Sequence, residues 1–313
     1  MTQTNNPQTH LVRRTLAKLE KSQKNKREFI RHLEESKSPL LKHTMKTNRL
    51  KECGNVVTFR KHLETWEKQL LSANFCKYDR VCIACATKRA IGMIKRFEQG
   101  IKAQNLYEKH RYYIVLTIKH KAWDKLEDLM EKLLTSKEKL ARNYRNSKRD
   151  VQKNKSFFNS FDGMVISIEV AHKWKNGWHP HINILACSNE EVPIKQGMHI
   201  RGDVNEQLQK EWLQITWDSF IHNIRKINVK NDYFTRSGIG EVFKYAIKFS
   251  DLTVSQLATI MELQQKYQYR FFSTYGIFRG WKLEKPEEKK GNWHEWNFIF
   301  DVPYMKYRLQ STN

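Results

Sequence analysis

Two histidines separated by one residue, His179 and His181, are the side chains of this sequence best placed to bind a metal ion together. They lie in a segment from Trp178 to Leu185 in which polar and apolar residues alternate. In a β-strand this alternation sends residues 179 and 181 to one face and buries the other. We therefore expect both imidazoles on the open face of a sheet, where they can begin a divalent cation site. The alternative is two ordinary histidines on a solvated strand face.

The strand that carries these histidines is predicted to form the second half of a β-hairpin. The preceding segment, Gly163 to Trp174, alternates in the same way, with isoleucines and a valine on one side. Lys175-Asn176-Gly177 lies between the two segments and is a turn signal, because glycine accepts a positive φ. The hairpin brings a second strand beside the histidines.

The register of this hairpin decides which residue is the third ligand. A two-residue turn would place His172 opposite His181. A three-residue turn with a bulge at Gly177 would pair Glu169 with Asn183, diagonal to His181, and would stack the aliphatic residues of both strands on one face. The sequence favours Glu169, with His172 as the rival. Two imidazoles and one carboxylate suit Mg²⁺ or Mn²⁺ beside a phosphate.

A second group of reactive side chains lies on a predicted helix from about Gly238 to Phe249. Tyr245 follows Glu241 by four residues, and Lys248 follows Tyr245 by three. This spacing places the three side chains on one helical face. A tyrosine can attack a phosphodiester if a cation such as Lys248 lowers its pKa from the usual value of about 10. Glu241 could activate water as a general base. The alternative is a packed tyrosine with two solvated neighbours.

Four of the five cysteines lie within one short segment, at Cys53, Cys76, Cys82 and Cys85. Four thiolates are a common tetrahedral ligand set for structural Zn²⁺, which would stabilise a segment too small for a core of its own. The alternative is a set of reduced, buried thiols. We expect the fifth cysteine, Cys187, to pack as a small apolar residue.

The composition indicates a polyanionic partner. The chain has 57 Lys and Arg against 33 Asp and Glu, a net charge of +24, and the excess is spread along the whole sequence. Nucleic acid is the partner that such a surface favours. No apolar run approaches the roughly 18 residues of a membrane span, and the polar start does not resemble a signal peptide. We therefore expect a cytoplasmic protein with no membrane partner.

The periodicity of the remaining chain predicts alternating strands and helices. A strand at Tyr112–Lys119 precedes an amphipathic helix that includes Trp123 and a basic linker over residues 141–155. After the hairpin we expect helices over about 205–224, 238–249 and 255–268, and strands near 233 and over 274–283. This order predicts an α+β fold of the split βαβ type, ferredoxin-like or RRM-like, with helices on one face of an antiparallel sheet.

Three segments of this chain together resemble a known family. Tyr113-Ile-Val-Leu-Thr-Ile-Lys119, Trp178-His-Pro-His181 and Glu241-Val-Phe-Lys-Tyr245 are similar to the three motifs of plasmid rolling-circle replication initiators of the HUH endonuclease superfamily. A single tyrosine preceded by glutamate resembles the Gram-positive-type plasmid branch. The resemblance covers about residues 50–285. The cysteine segment departs from the pattern, because Ile83 stands where proline is expected.

The resemblance implies a role for each matching residue. His179 and His181 would bind the metal, Tyr245 would be the nicking nucleophile, and Glu241 would serve the terminating hydrolysis. The substrate implied is plasmid origin DNA, single-stranded or extruded as a hairpin, and the products are a 5′-phosphotyrosine and a 3′-OH primer. The family also implies a host helicase and DNA polymerase as partners, in the bacterial cytoplasm.

These observations predict four segments. They are a basic helical arm at 1–50, a cysteine-rich, zinc-binding module at 51–105, a nicking and strand-transfer domain at 106–285 and a C-terminal tail at 286–313. Two other functions stay open. One is a relaxase or single-strand transposase of the same superfamily. The single Tyr245 with Glu241, and the cysteine module, argue against it. The other is a non-catalytic, zinc-stabilised DNA-binding regulator.

Overall fold

The computed structural model describes residues 10–35, 47–78, 82–150, 152–153, 155–173, 175–196, 203–219, 222–227, 252–280 and 291–310. The predicted helix with Glu241, Tyr245 and Lys248 and the predicted strand near Tyr233 lie outside these residues. The chain divides into two compact units. The first unit comprises residues 1–91, 253–262 and 285–313, and the second comprises 92–252 and 263–284.

The described residues form six α-helices and eleven β-strands. The helices are α1 (His10–Glu35), α2 (Thr47–Glu52), α3 (Ile83–Ala103), α4 (Leu126–Arg149), α5 (Glu206–Thr216) and α6 (Val254–Tyr267). The strands are β1 (Val56–His62), β2 (Lys68–Ala73), β3 (His110–Thr117), β4 (Gly163–Lys173), β5 (Gly177–Ser188), β6 (Lys195–Gln196), β7 (Asp203–Val204), β8 (His222–Lys226), β9 (Phe272–Gly276), β10 (Trp293–Asp301) and β11 (Lys306–Leu309). None of the helices described here is long and apolar enough to cross a membrane.

The second unit is built on a five-stranded antiparallel sheet in the order β8-β3-β5-β4-β9. Helix α4 connects β3 to β4, a hairpin connects β4 to β5, and α5 precedes β8. The spatial order of β3, β4, β5 and β8 is fourth, first, third, second, which is the split βαβ arrangement. The predicted fold is confirmed, with β9 added at one edge.

One face of this sheet is aliphatic because β4 and β5 alternate in phase. Ile166 lies opposite Ile184, and Ile168 lies opposite Ile182, all fully buried. Helix α4 packs on β5 with its own buried stripe, which comprises Leu126, Leu129, Met130, Leu133, Leu140, Ala141 and Tyr144. Each large aliphatic side chain buried in this layer stabilises the fold by about 1.5–3 kcal/mol.

The opposite face of the sheet is apolar at one end and polar at the other. Phe97 and Ile101 of α3 pack against Tyr113 and Leu185, so α3 partly covers the face on which we expected no helix. The polar end carries buried side chains on neighbouring strands, namely Glu169, His181 and Asn183. The sheet therefore places a polar site beside an apolar core on one face.

The predicted basic linker over residues 141–155 is wrong, because α4 continues to Arg149. Tyr144 and Ser147 are buried, so the apolar stripe of the helix runs on beneath the basic residues. The helix also begins later than expected. It starts at Leu126, and Trp123 precedes it with 77% of its surface exposed.

The predicted helix over 205–224 is also too long. Helix α5 ends at Thr216, and Trp217 follows in the left-handed conformation, with φ of 72°. Strand β8 then occupies the last residues of the predicted helix and pairs with β3. A helix that stops at Thr216 frees this segment to complete the sheet.

The first unit contains a four-stranded antiparallel sheet in the order β11-β10-β1-β2. Phe59 of β1 pairs with Trp296 of β10, and both are buried. The basic helix α1 buries Phe29 and Leu33 in this unit. Strands β10 and β11 come from the residues expected to form a tail, and β10 pairs directly with β1.

We predict that Gly177→Ala destabilises the second unit more than Gly280→Ala. Both glycines have positive φ, which costs a non-glycine residue about 1–2 kcal/mol. At Gly177 a Cβ would also lie 2.2 Å from the backbone oxygen of Ala122, whereas at Gly280 it would meet nothing within 4 Å. Overpacking adds about 1–3 kcal/mol. Urea unfolding measures both losses, and equal losses would contradict the close approach.

Candidate functional site

The register of β4 and β5 places Glu169 directly opposite His181. We predicted a pairing of Glu169 with Asn183, so the predicted register was wrong by two residues. Lys173 pairs with Gly177, so this pair closes the hairpin one residue earlier than a turn over 175–177 would. Because side chains alternate with a period of two, this shift leaves Glu169 on the same face as His181 and brings it closer.

Glu169 and His181 are in direct contact in a buried position. Nε2 of His181 lies 3.0 Å from Oε2 of Glu169, and the two residues are 8% and 2% exposed. Nδ1 of His181 lies 3.3 Å from the backbone oxygen of His179, so both ring nitrogens face acceptors. A neutral imidazole can donate to only one of them, so a second proton or a cation would complete the arrangement.

His179 lies beside His181 and a third histidine, His120. The ring centroids of His179 and His181 are 5.3 Å apart, and Nδ1 of His179 is 3.3 Å from Nε2 of His120. Burial, followed by the proximity of His181 and His120, lowers the pKa of His179 to about 4. The imidazole is therefore neutral at neutral pH, which is the form that binds metals.

Sequence reasoning missed His120. This residue follows β3 by three positions and joins the site only because the loop after β3 folds back towards β5. The available signal was its position directly after the motif that ends at Lys119. The structure thus brings together three imidazoles and one carboxylate, whereas the sequence indicated two imidazoles and one carboxylate.

A hydrogen-bond relay across three strands fixes the carboxylate of Glu169. Nδ2 of Asn183 donates to Oε2 of Glu169 over 2.8 Å, and the hydroxyl of Tyr113 donates to Oδ1 of Asn183 over 2.7 Å. All three side chains are buried. The carboxylate oxygen that faces His181 is therefore held from β3 through β5.

The rival ligand, His172, lies apart from this cluster. His172 pairs with Trp178 at the end of the hairpin and lies on the opposite face from Glu169, with its ring 4.8 Å from that of Trp178. The structure brings Glu169 and not His172 to His181. Tyr245, Glu241 and Lys248 lie outside the described residues.

The four predicted cysteine ligands converge in the first unit. Sγ of Cys53 lies 3.5 Å from Sγ of Cys82 and 3.6 Å from Sγ of Cys85, and Sγ of Cys76 lies 3.5 Å from Sγ of Cys85. All four sulfur atoms lie within 4.8 Å of one another. A disulfide requires about 2.05 Å, so these are separate thiols. The cluster is compatible with a structural zinc ion.

Cys187 is separate from this cluster. It is fully buried in the apolar end of the sheet of the second unit, beside Leu185 on β5. Burial raises the pKa of its thiol to about 12. Cys187 therefore packs as a small apolar residue, as the sequence predicted.

The net charge of +24 is the electrostatic footprint expected of a protein that binds nucleic acid. The family model of the replication protein family Rep_1 matches residues 67–299, and the chain belongs to this family. The replication protein "Protein rep" of Bacillus amyloliquefaciens is 22% identical over 255 residues, which cover 74% of this chain and 70% of that relative. No solved structure matches this chain. The protein is therefore a plasmid replication initiator.

We predict that Asn183→Leu destabilises the second unit by about 2–4 kcal/mol, because it removes the donor to Glu169 and the acceptor of the Tyr113 hydroxyl. Tyr113→Phe removes one hydroxyl, leaves the contact between Asn183 and Glu169, and should cost about 1 kcal/mol. Urea unfolding of both variants and of the double variant measures the coupling. Additive losses would show that the three side chains do not act as a relay.

Proposed function

We propose that this replication initiator nicks one strand of plasmid origin DNA at the histidine site and keeps the cut strand as a tyrosine ester. The observation that carries the proposal is the contact between Glu169 and His181, with His179 on the same face, at the polar end of the sheet. Ionisable groups whose pKa is shifted by burial and by neighbouring charges often mark functional sites, and the pKa of His179 is lowered in this way. Membership of a replication protein family supplies DNA as the substrate.

The donor set fits a divalent cation. Nε2 of His181 faces the carboxylate of Glu169, and His179 lies beside them in its neutral form, so these three side chains would hold the ion. Mixed nitrogen and oxygen donors suit Mn²⁺, and the carboxylate also suits Mg²⁺. When bound, such an ion offsets the charge that grows on the phosphate oxygens.

Tyr245 is the proposed nucleophile. Its phenolic oxygen attacks the scissile phosphorus, the bond from phosphorus to the 3′ oxygen breaks, and that oxygen takes up a proton to become the 3′-OH. Lys248 lowers the pKa of the hydroxyl. Glu241 ends the cycle as a general base: it activates a water, or it accepts the proton of the 3′-OH of a second strand, and the activated oxygen attacks the tyrosine ester. A host helicase would then unwind the duplex, and a host DNA polymerase would extend the 3′-OH, in the cytoplasm.

Exposed aromatic residues beside basic ones support a single-stranded or hairpin substrate. Trp123 is 77% exposed, and the Nζ atom of Lys121 lies 5.5 Å from its ring centroid. Its neighbour Ala122 approaches Gly177, at the start of the strand that carries both site histidines. A base can stack on such a tryptophan while a lysine contacts the phosphate, which contributes about 1–3 kcal/mol per base.

Tyr245→Phe should abolish cleavage and leave DNA binding intact. We would incubate the protein and Mn²⁺ with labelled single strands that tile the region around its own gene. A label-bearing protein band on a denaturing gel, which is lost with EDTA and in Tyr245→Phe, is the expected result. Tyr304→Phe is the matched control, because Tyr304 is exposed and lies in the first unit. DNA binding with no adduct on any strand would favour the non-catalytic regulator.

We also propose that Cys53, Cys76, Cys82 and Cys85 bind one structural Zn²⁺. Four sulfurs at about 2.3 Å from zinc lie about 3.8 Å apart in a tetrahedron, close to the observed 3.5–3.6 Å. The backbone amide of Cys76 donates to Sγ of Cys53. Cys82 and Cys85 lie at the N-terminus of α3, whose dipole favours thiolates.

A buried lysine supports the same proposal. The Nζ atom of Lys26 donates to the backbone oxygens of Cys53 and Lys51, and the residue is 2% exposed. Four thiolates around one Zn²⁺ leave a net charge of −2, which a buried ammonium group partly balances. Lys26 thus ties α1 to the cluster by charge as well as by hydrogen bonds.

The purified protein should contain one zinc per chain. Cys82→Ala should lose the metal and lower the midpoint of thermal unfolding, because zinc binding in small modules is part of the folding free energy. Cys187→Ala is the matched control and should keep its zinc, since Cys187 lies in the other unit. Elemental analysis after expression with added zinc measures the zinc content of both variants and of the wild type. Wild-type protein without zinc would contradict the proposal.

A further inference from the structure

We infer that His120 is a positioning residue of the histidine site, which holds His179 in the orientation and tautomer that leave its Nε2 atom for a divalent cation. The inference rests on the proposed function of the site. Nε2 of His120 lies 3.3 Å from Nδ1 of His179, and the two rings are 4.8 Å apart at an angle of 56°. His120 therefore contacts a proposed ligand on the side away from any metal bound through Nε2.

The hydrogen-bond partners of His120 fix its tautomer. Its Nδ1 atom lies 3.0 Å from the backbone oxygen of Ile118, and a carbonyl oxygen only accepts. Nδ1 therefore carries the proton, and Nε2 of the neutral ring has a free lone pair. This lone pair accepts a hydrogen bond from Nδ1 of His179. It follows that His179 carries its own proton on Nδ1 and has an unprotonated Nε2.

The loop that carries His120 is anchored to the end of α5. The backbone amide of Lys119 donates to Oγ of Ser219 over 2.8 Å. Ser219 is buried, and its own amide donates to Oγ1 of Thr216 over 3.1 Å. A residue next to such an anchor has a defined position, which a positioning role requires. Metal-binding histidines commonly donate their second ring nitrogen to a carboxylate, a backbone carbonyl or a water, and here the imidazole of His120 takes that place.

His181 has a comparable neighbour. Its Nδ1 atom lies 3.3 Å from the backbone oxygen of His179, which can only accept, and its Nε2 atom faces Glu169. Both proposed ligands therefore have a protein acceptor beside Nδ1. The backbone supplies the acceptor for His181, and the side chain of His120 supplies it for His179.

The test measures the tautomer of His179 directly and Mn²⁺ affinity separately. Two-bond ¹H–¹⁵N correlation spectra of metal-free protein labelled at histidine report which nitrogen carries the proton. We expect the Nδ1–H tautomer of His179 in the wild type and the loss of that preference in His120→Ala. In His120→Gln the amide oxygen can accept the same hydrogen bond, and the preference should return. A His179 proton on Nε2 in the wild type would overturn the inference.

Mn²⁺ binding, followed by the electron paramagnetic resonance signal of the free ion, provides the second readout. His120→Ala should weaken Mn²⁺ binding by about 10-fold to 100-fold, and His120→Gln should recover most of the loss. His110→Ala, at the other end of β3, is the matched control and should bind as the wild type does. Wild-type affinity in His120→Ala would overturn the inference. If Mn²⁺ binds equally well to wild type and His181→Ala, the proposed site itself fails.

Discussion

The pairing of β4 with β5 is the constraint on which the rest of the second unit depends. The two strands alternate in phase, so Ile168 and Ile182 meet in the aliphatic core while Glu169 and His181 meet on the other face. A slip of one residue would move the isoleucines out of the core and bury the carboxylate and the imidazole there. The hydrophobic effect therefore holds the polar cluster together, although it acts on the face opposite the cluster.

Local patterns in the sequence were sufficient to predict the faces of this hairpin but not its register. The alternation around His179 and around Glu169 determines which side chains share a face, and that prediction holds. The turn lies one residue earlier than predicted, and Gly177 at its end packs against the backbone of Ala122. That contact joins residues 55 positions apart in the chain, so no pattern within the hairpin could reveal it. The error of two residues preserved the faces, and with them Glu169 as the neighbour of His181.

The same division between local and distant information applies elsewhere. Clustered cysteines predicted a four-thiol site, whereas the burial of Lys26 beneath it depends on how α1 packs in the first unit. Basic residues suggested a linker after residue 141, because the stripe formed by Tyr144 and Ser147 is sparse in apolar side chains. His120 reaches the site through the path of a loop, which sequence spacing does not encode. The role of Tyr245 stays a prediction from its motif.

The most direct test of a cation site at Glu169 and His181 is to locate the metal. Crystals of the protein soaked in MnCl₂ would be measured at a wavelength where manganese scatters anomalously. We expect an anomalous difference peak bonded to Nε2 of His179, Nε2 of His181 and the carboxylate of Glu169, at the polar end of the sheet. Strong manganese peaks elsewhere on the molecule, with none at this cluster and His181 in direct hydrogen bond to Glu169, would contradict the claim that these residues form a cation site.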